Sequence, residues 1–124
     1  FTYIDNVIQA NELAMITPKE NIVKQSGLYN MNLPLNASLD LVFNIAYGGN
    51  TTLLQLFDCL RSNLTKFDPK IASIQPVFRE NRKGDIPHSQ ASIEKAKRIL
   101  GYNPHYSALE GFEQACEWYW NNLK

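Results

Sequence analysis

A chain of 124 residues has room for one hydrophobic core. Twelve Lys and Arg balance twelve Asp and Glu, so no excess positive charge draws the chain to nucleic acid or to an anionic membrane surface, and any basic feature must be local. No apolar run approaches the ~20 residues that cross a bilayer, and no charged-then-apolar leader opens the sequence, so a soluble protein is expected.

Phe1–Thr17 starts with a few strand-like residues and continues with Val7, Ile8, Ala14 and Met15 at helical spacing. Asp5 or Asn6 is the expected N-cap and Pro18 the stop. An opening in mid-pattern, without methionine, is expected to continue a longer polypeptide. The following stretch to Asp40 is polar and turn-rich, with Gly27 and Pro34, and reads as an irregular connection. "LVFNIAY", residues 41–47, has the aromatic and β-branched content of a short buried strand.

Gly48-Gly49 breaks that strand, and Leu53, Leu56, Phe57, Leu60 and Leu64 then form the stripe of a core-facing helix. "IASIQPVFRE" is expected to be a second strand region, at a sheet edge because of Pro76. A basic loop over residues 79–92 leads into a helix marked by Ile93, Ala96 and Leu100, which Gly101 closes. "SALE" at Ser107–Glu110 is a capping box for a last helix with Leu109, Phe112, Cys116 and Tyr119 on one face. Helices alternating with a few short strands give an α/β (α+β) class, one domain over residues 1–124.

Most of the possible chemistry has a plainer reading. Gly48-Gly49 lacks the rest of a dinucleotide fingerprint and reads as a tight turn. His88 and His105 have no carboxylate or cysteine at ligand spacing, so no metal is expected. Cys59 and Cys116 lie far apart among apolar residues, which suits reduced packing residues and a cytoplasmic setting. The sequons at Asn36, Asn50 and Asn63 are taken as coincidental in an asparagine-rich chain. The "EWYW" run has helical spacing and no flanking basic residues, so it reads as core plus interface more than as a stacking platform.

The loop "RENRKGDIPHSQAS" keeps two readings. Arg82 offers a planar fork of donors suited to a phosphate, Gly84 permits a tight turn, and Asp85 can accept from sugar hydroxyls. A solvated turn whose charges satisfy one another accounts for the same residues.

"RKGDIPHSQASIEKAKRILGYNP" resembles the Arg-x-Gly-Asp segment, helix and Leu-Gly-aromatic-x-Pro turn found near the C-terminus of extended short-chain dehydrogenase/reductase enzymes acting on nucleotide sugars. "FTYIDNVIQAN" resembles the segment after that family's Arg-Asp dipeptide. "FNIAYGGNTTLLQLFDCL" resembles its Asn-hydrophobic-Gly-x-Gly strand–turn–helix. These three ordered matches cover most of the chain, and the branch they resemble most is the UDP-N-acetylglucosamine 4-epimerases, which supply sugars for surface polysaccharides.

The resemblance implies the small C-terminal substrate-binding domain of a larger enzyme, about four helices with a few short strands. It implies that an N-terminal Rossmann domain, outside this chain, holds NAD and the Tyr-x-x-x-Lys pair, so this chain alone is expected to bind no cofactor and to be inactive. The parent is implied to be a cytoplasmic homodimer acting on UDP-N-acetylhexosamines or their uronic acids. Arg82 resembles the arginine on the UDP diphosphate and Asp85 the aspartate on the uridine ribose. Ser89 falls where relatives restricted to unacetylated sugars carry a bulky tyrosine. Ser92 replaces the usual aspartate, and both are good N-caps. Ala46 replaces a usual glycine. Two other readings stay open: another epimerase, dehydratase or decarboxylase of the same family, and a non-catalytic ligand- or protein-interaction module.

Overall fold

The computed structural model describes residues 1–27, 41–80, 83–84 and 90–123. Helix α1 spans Ile4–Ile16 and begins earlier than expected, with extended Tyr3 at its N-cap and no side-chain cap. Asp5 therefore lies in the first turn, where its charge favours the helix N-terminus. Asn6, freed from capping, turns inward and is 1% exposed. Ala10 and Leu13 continue its face, whereas Ile8 and Met15, expected at core spacing, are exposed.

Pro18 ends α1 as its missing N–H requires, yet a helix follows at once. Helix α2, Lys19–Ser26, lies where an irregular connection was expected. It buries no residue, so no apolar stripe announced it. Gly27 closes it in the left-handed region.

The strand expected over residues 41–47 is absent: the segment has no ladder and bends at residue 46. A strand needs a partner's backbone, and here side chains take that place. The Lys95 ammonium donates to Val42 O at 2.8 Å, and the buried Tyr102 hydroxyl donates to Ala46 O at 2.9 Å. Burial raises the Tyr102 pKa and keeps that hydroxyl a donor.

Helix α3, Leu53–Thr65, begins at a capping box: Gln55 N donates to Thr52 Oγ1 at 3.2 Å, and Thr52 N donates to Gln55 Oε1 at 2.8 Å. Leu56 is buried, but Leu53 is 76% exposed, so the core stripe starts a turn later than expected. The second expected strand is also corrected. Pro69–Ser73 form a 3-10 turn, started by Asp68 accepting from Lys70 N at 2.9 Å, and residues 74–80 carry no ladder. Arg61 holds the exit by donating to Ile74 O at 3.2 Å.

Helix α4, Glu94–Leu100, buries Ala96, Ile99 and Leu100 and ends at Gly101 as expected. Ser92 does not cap it closely; Ile93 takes the N-cap, and Glu94 N reaches Ser92 Oγ only at 3.5 Å. Helix α5, Ala108–Asn122, starts at the expected Ser107–Glu110 box. Hydrogen bonds from Ser107 hold the exposed Glu110 carboxyl below its ordinary range.

Two packed groups result. Helices α1 and α2 lie on α4 around Ala10, Ile93, Ala96 and Tyr102, with Phe43, Ile45 and Ala46 packed on them. Helices α3 and α5 pair in the same direction, since Cys59 Sγ at the middle of α3 approaches Leu109 O near the start of α5 at 3.6 Å, and the ring of Phe67, just past the end of α3, stacks at 5.3 Å on Trp120 near the end of α5. Both cysteines are free, and Cys116 is buried. Five helices and no strand are found among the described residues, so the α/β expectation gives way there to a helical domain. None of these helices is long and apolar enough to cross a membrane.

Tyr3 joins the two groups by lying on Gly111 of α5. A Cβ at Gly111 would meet the Tyr3 Cβ at 2.6 Å and its ring at 2.7 Å. In an open helix Gly→Ala gains about 1 kcal/mol. Here the methyl must push α5 from Tyr3, an overpacking that costs about 1–3 kcal/mol. Gly111→Ala is therefore expected to lower the urea midpoint, and a raised midpoint would show that Tyr3 yields freely.

Candidate ligand-binding cleft

Arg82, Asp85 and Ser89, the residues singled out by the sequence, lie outside the described residues, as does His88. Between Arg82 and Asp85, Lys83 and Gly84 are described and form an exposed turn, with Gly84 at φ +94°, as a tight backbone reversal there requires.

Beside the end of that loop lies a cleft of about 460 Å³ between the Tyr47–Gly48 turn and the start of α4. Tyr47, Gln90, Ser92, Glu94 and Lys97 are among the residues that line it. Its size falls in the ~300–1,000 Å³ range of small-molecule sites. Gly48 makes the two walls meet closely: its φ is +88°, and a Cβ there would lie 3.1 Å from Ile93 Cδ1. The close approach thus falls at Gly48, while Ala46 serves through its carbonyl. Asn44 Nδ2 donates to Ser92 O at 3.3 Å and fixes the same two walls.

The lining groups can donate and accept hydrogen bonds, and they form no nucleophile and base pair. Lys97 and Glu94 form an exposed ion pair at 3.2 Å, worth a few tenths of a kcal/mol on a helix surface, so both can turn to a ligand at little cost. No group of three His, Cys, Asp or Glu among the described residues is placed to hold a metal ion.

A second cavity, about 430 Å³, runs between the start of α1 and the α3/α5 pair, lined by Phe1, Ile4, Leu60, Leu64, Phe112 and Tyr119. Aliphatic and aromatic walls offer area without the polar groups that orient a substrate, so this groove has the character of a packing surface. The sequence marked neither cavity. Tyr47 was hidden inside an expected strand, although an aromatic residue directly before two glycines was the available signal.

No protein-family profile matches the chain. It is 29% identical over 119 residues to UDP-glucuronate 4-epimerase 4 of Arabidopsis thaliana, covering 96% of this chain and 25% of that protein. It is 28% identical over 122 residues to UDP-glucuronate 4-epimerase 2 of the same plant, with the same two coverages. An uncharacterized protein of Methanocaldococcus jannaschii is 25% identical over 81 residues, 65% of this chain and 23% of that protein. The chain therefore spans about a quarter of the length of the curated relatives it matches, and its likeness to nucleotide-sugar 4-epimerases runs along nearly all of it.

Proposed function

We propose that this chain is the nucleotide-sugar-binding portion of an NAD-dependent 4-epimerase acting on UDP-hexoses that carry a C2 acetamido group or a C6 carboxylate. The observation that carries this reading is the similarity to two UDP-glucuronate 4-epimerases over 96% of the chain. Within it Arg82 takes the diphosphate through charge-assisted hydrogen bonds, and Asp85 accepts from the ribose hydroxyls. Ser89 lies beside the sugar's C2 substituent, where a small side chain leaves space. NAD, which takes up and returns the C4 hydride when bound, belongs to the Rossmann portion of a longer polypeptide, because these 124 residues contain no dinucleotide fingerprint. This chain's contribution is positioning: it holds the UDP while the sugar presents either face. The product would serve surface polysaccharide synthesis, in a cytoplasmic homodimer.

Steady-state kinetics on the longer polypeptide test the placement of Ser89. Ser89→Tyr fills the space with a phenol ring, so kcat/KM for UDP-N-acetylglucosamine should fall at least roughly tenfold while that for UDP-glucose changes little. Equal turnover of acetylated substrate by mutant and wild type would remove Ser89 from the site. The apolar groove favours a second reading, an interaction module. Epimerase turnover by the longer polypeptide would set that reading aside.

A further inference from the structure

The nucleotide contacts proposed above leave the cleft at Tyr47 without a role. Its walls are fixed before any ligand arrives, by Asn44 Nδ2 on Ser92 O, by Lys95 Nζ on Val42 O, by Tyr102 on Ala46 O and by Gly48 against Ile93. A preformed pocket spends little free energy on ordering itself when it binds. The Tyr47 ring rests against Gly49 yet stays 41% exposed, which leaves aromatic surface for a ligand. The same cleft is lined by groups of both hydrogen-bonding senses: the Gln90 amide donates and accepts, Lys97 donates, and Glu94 accepts.

A pyranose has an apolar C–H face and an edge of hydroxyls that donate and accept, which matches a cleft that joins an aromatic surface to such a set. Uracil would match the aromatic wall but presents a single N–H donor to so many partners. Position along the chain points the same way, because Gln90 directly follows Ser89, the residue placed at the sugar. We infer that this cleft receives the hexose ring of the nucleotide sugar, with Tyr47 as its stacking surface. The inference rests on the nucleotide-sugar reading above.

The test is calorimetric titration of the longer polypeptide with UDP, UDP-N-acetylglucosamine and UDP-glucuronate. Tyr47→Ala should reduce affinity for both UDP-sugars about five- to tenfold and change affinity for UDP less than about twofold. Tyr47→Phe keeps the ring and should bind like wild type, which separates loss of stacking from a collapsed turn. Unchanged UDP-sugar affinity in Tyr47→Ala would overturn the cleft assignment and leave the nucleotide reading standing. Equal losses for UDP and UDP-sugars in that variant would also overturn it, by placing Tyr47 at the nucleotide. A wild-type protein that binds none of the three would overturn the nucleotide-sugar reading, and the cleft assignment with it.

Discussion

Asn6→Ala is expected to cost the protein about 3 kcal/mol of stability. The Asn6 amide donates to Tyr106 O at 2.7 Å and accepts from His105 N at 2.9 Å and from Tyr106 N at 3.2 Å. It thereby pins the turn between α4 and α5 onto α1. Truncation leaves these part-buried backbone groups without partners, and an unsatisfied buried group costs ~1–3 kcal/mol. Alanine's higher helix propensity returns at most about 0.7 kcal/mol, so the loss dominates. Gln9, which accepts from Asn103 N at 3.3 Å and donates to His105 Nε2 at 3.2 Å, holds the same turn from the surface and limits the damage. The urea midpoint should fall with the slope unchanged. A shift equivalent to less than about 0.5 kcal/mol, the range of ordinary surface substitutions, would mean that the turn finds its partners elsewhere.

Arg82→Ala is the substitution with the largest expected effect on binding. A guanidinium facing a diphosphate makes charge-assisted bonds worth ~1.5–3 kcal/mol, so UDP affinity of the longer polypeptide should fall roughly ten- to hundredfold. NAD content should not change, because Arg82 is assigned to the substrate alone. Arg82→Lys keeps the charge but loses the planar fork, and an intermediate loss is expected. UDP affinity equal to wild type in Arg82→Ala would leave the loop a solvated turn whose charges satisfy one another.

The parts of the fold that were legible in the sequence are those fixed by local chemistry. Ser107 and Glu110 bond each other across a single turn, and Gly101 closes α4 with its own backbone, so both ends could be placed from spacing alone. Ile93, Ala96 and Leu100, whose spacing marked α4 in the sequence, are buried. Helix α2 escaped because "KENIVKQS" buries nothing and so carries no stripe. The strand expected at residues 41–47 failed for a different reason. β-branched and aromatic residues favour an extended segment, but only a partner makes a strand, and here Lys95 and Tyr102, some fifty residues away, hold the segment with side chains. In α1 the buried face includes a polar residue, Asn6, and the small Ala10, while larger apolar residues point outward. Hydrophobic spacing therefore selected the wrong side. For the site, the Arg82–Ser89 loop was visible through its residue types. The cleft was not, because Tyr47 and Gln90, far apart in the sequence, come to line one cavity only where Gly48 packs near Ile93.

The central claim, that this chain binds the UDP portion of a nucleotide sugar, is tested most directly by calorimetric titration of UDP into the longer polypeptide proposed to carry it. The account predicts saturable binding at one site per chain, with uridine bound more weakly than UDP because it lacks the diphosphate that Arg82 holds. Absence of saturable UDP binding, or equal affinity for UDP and uridine, would contradict it.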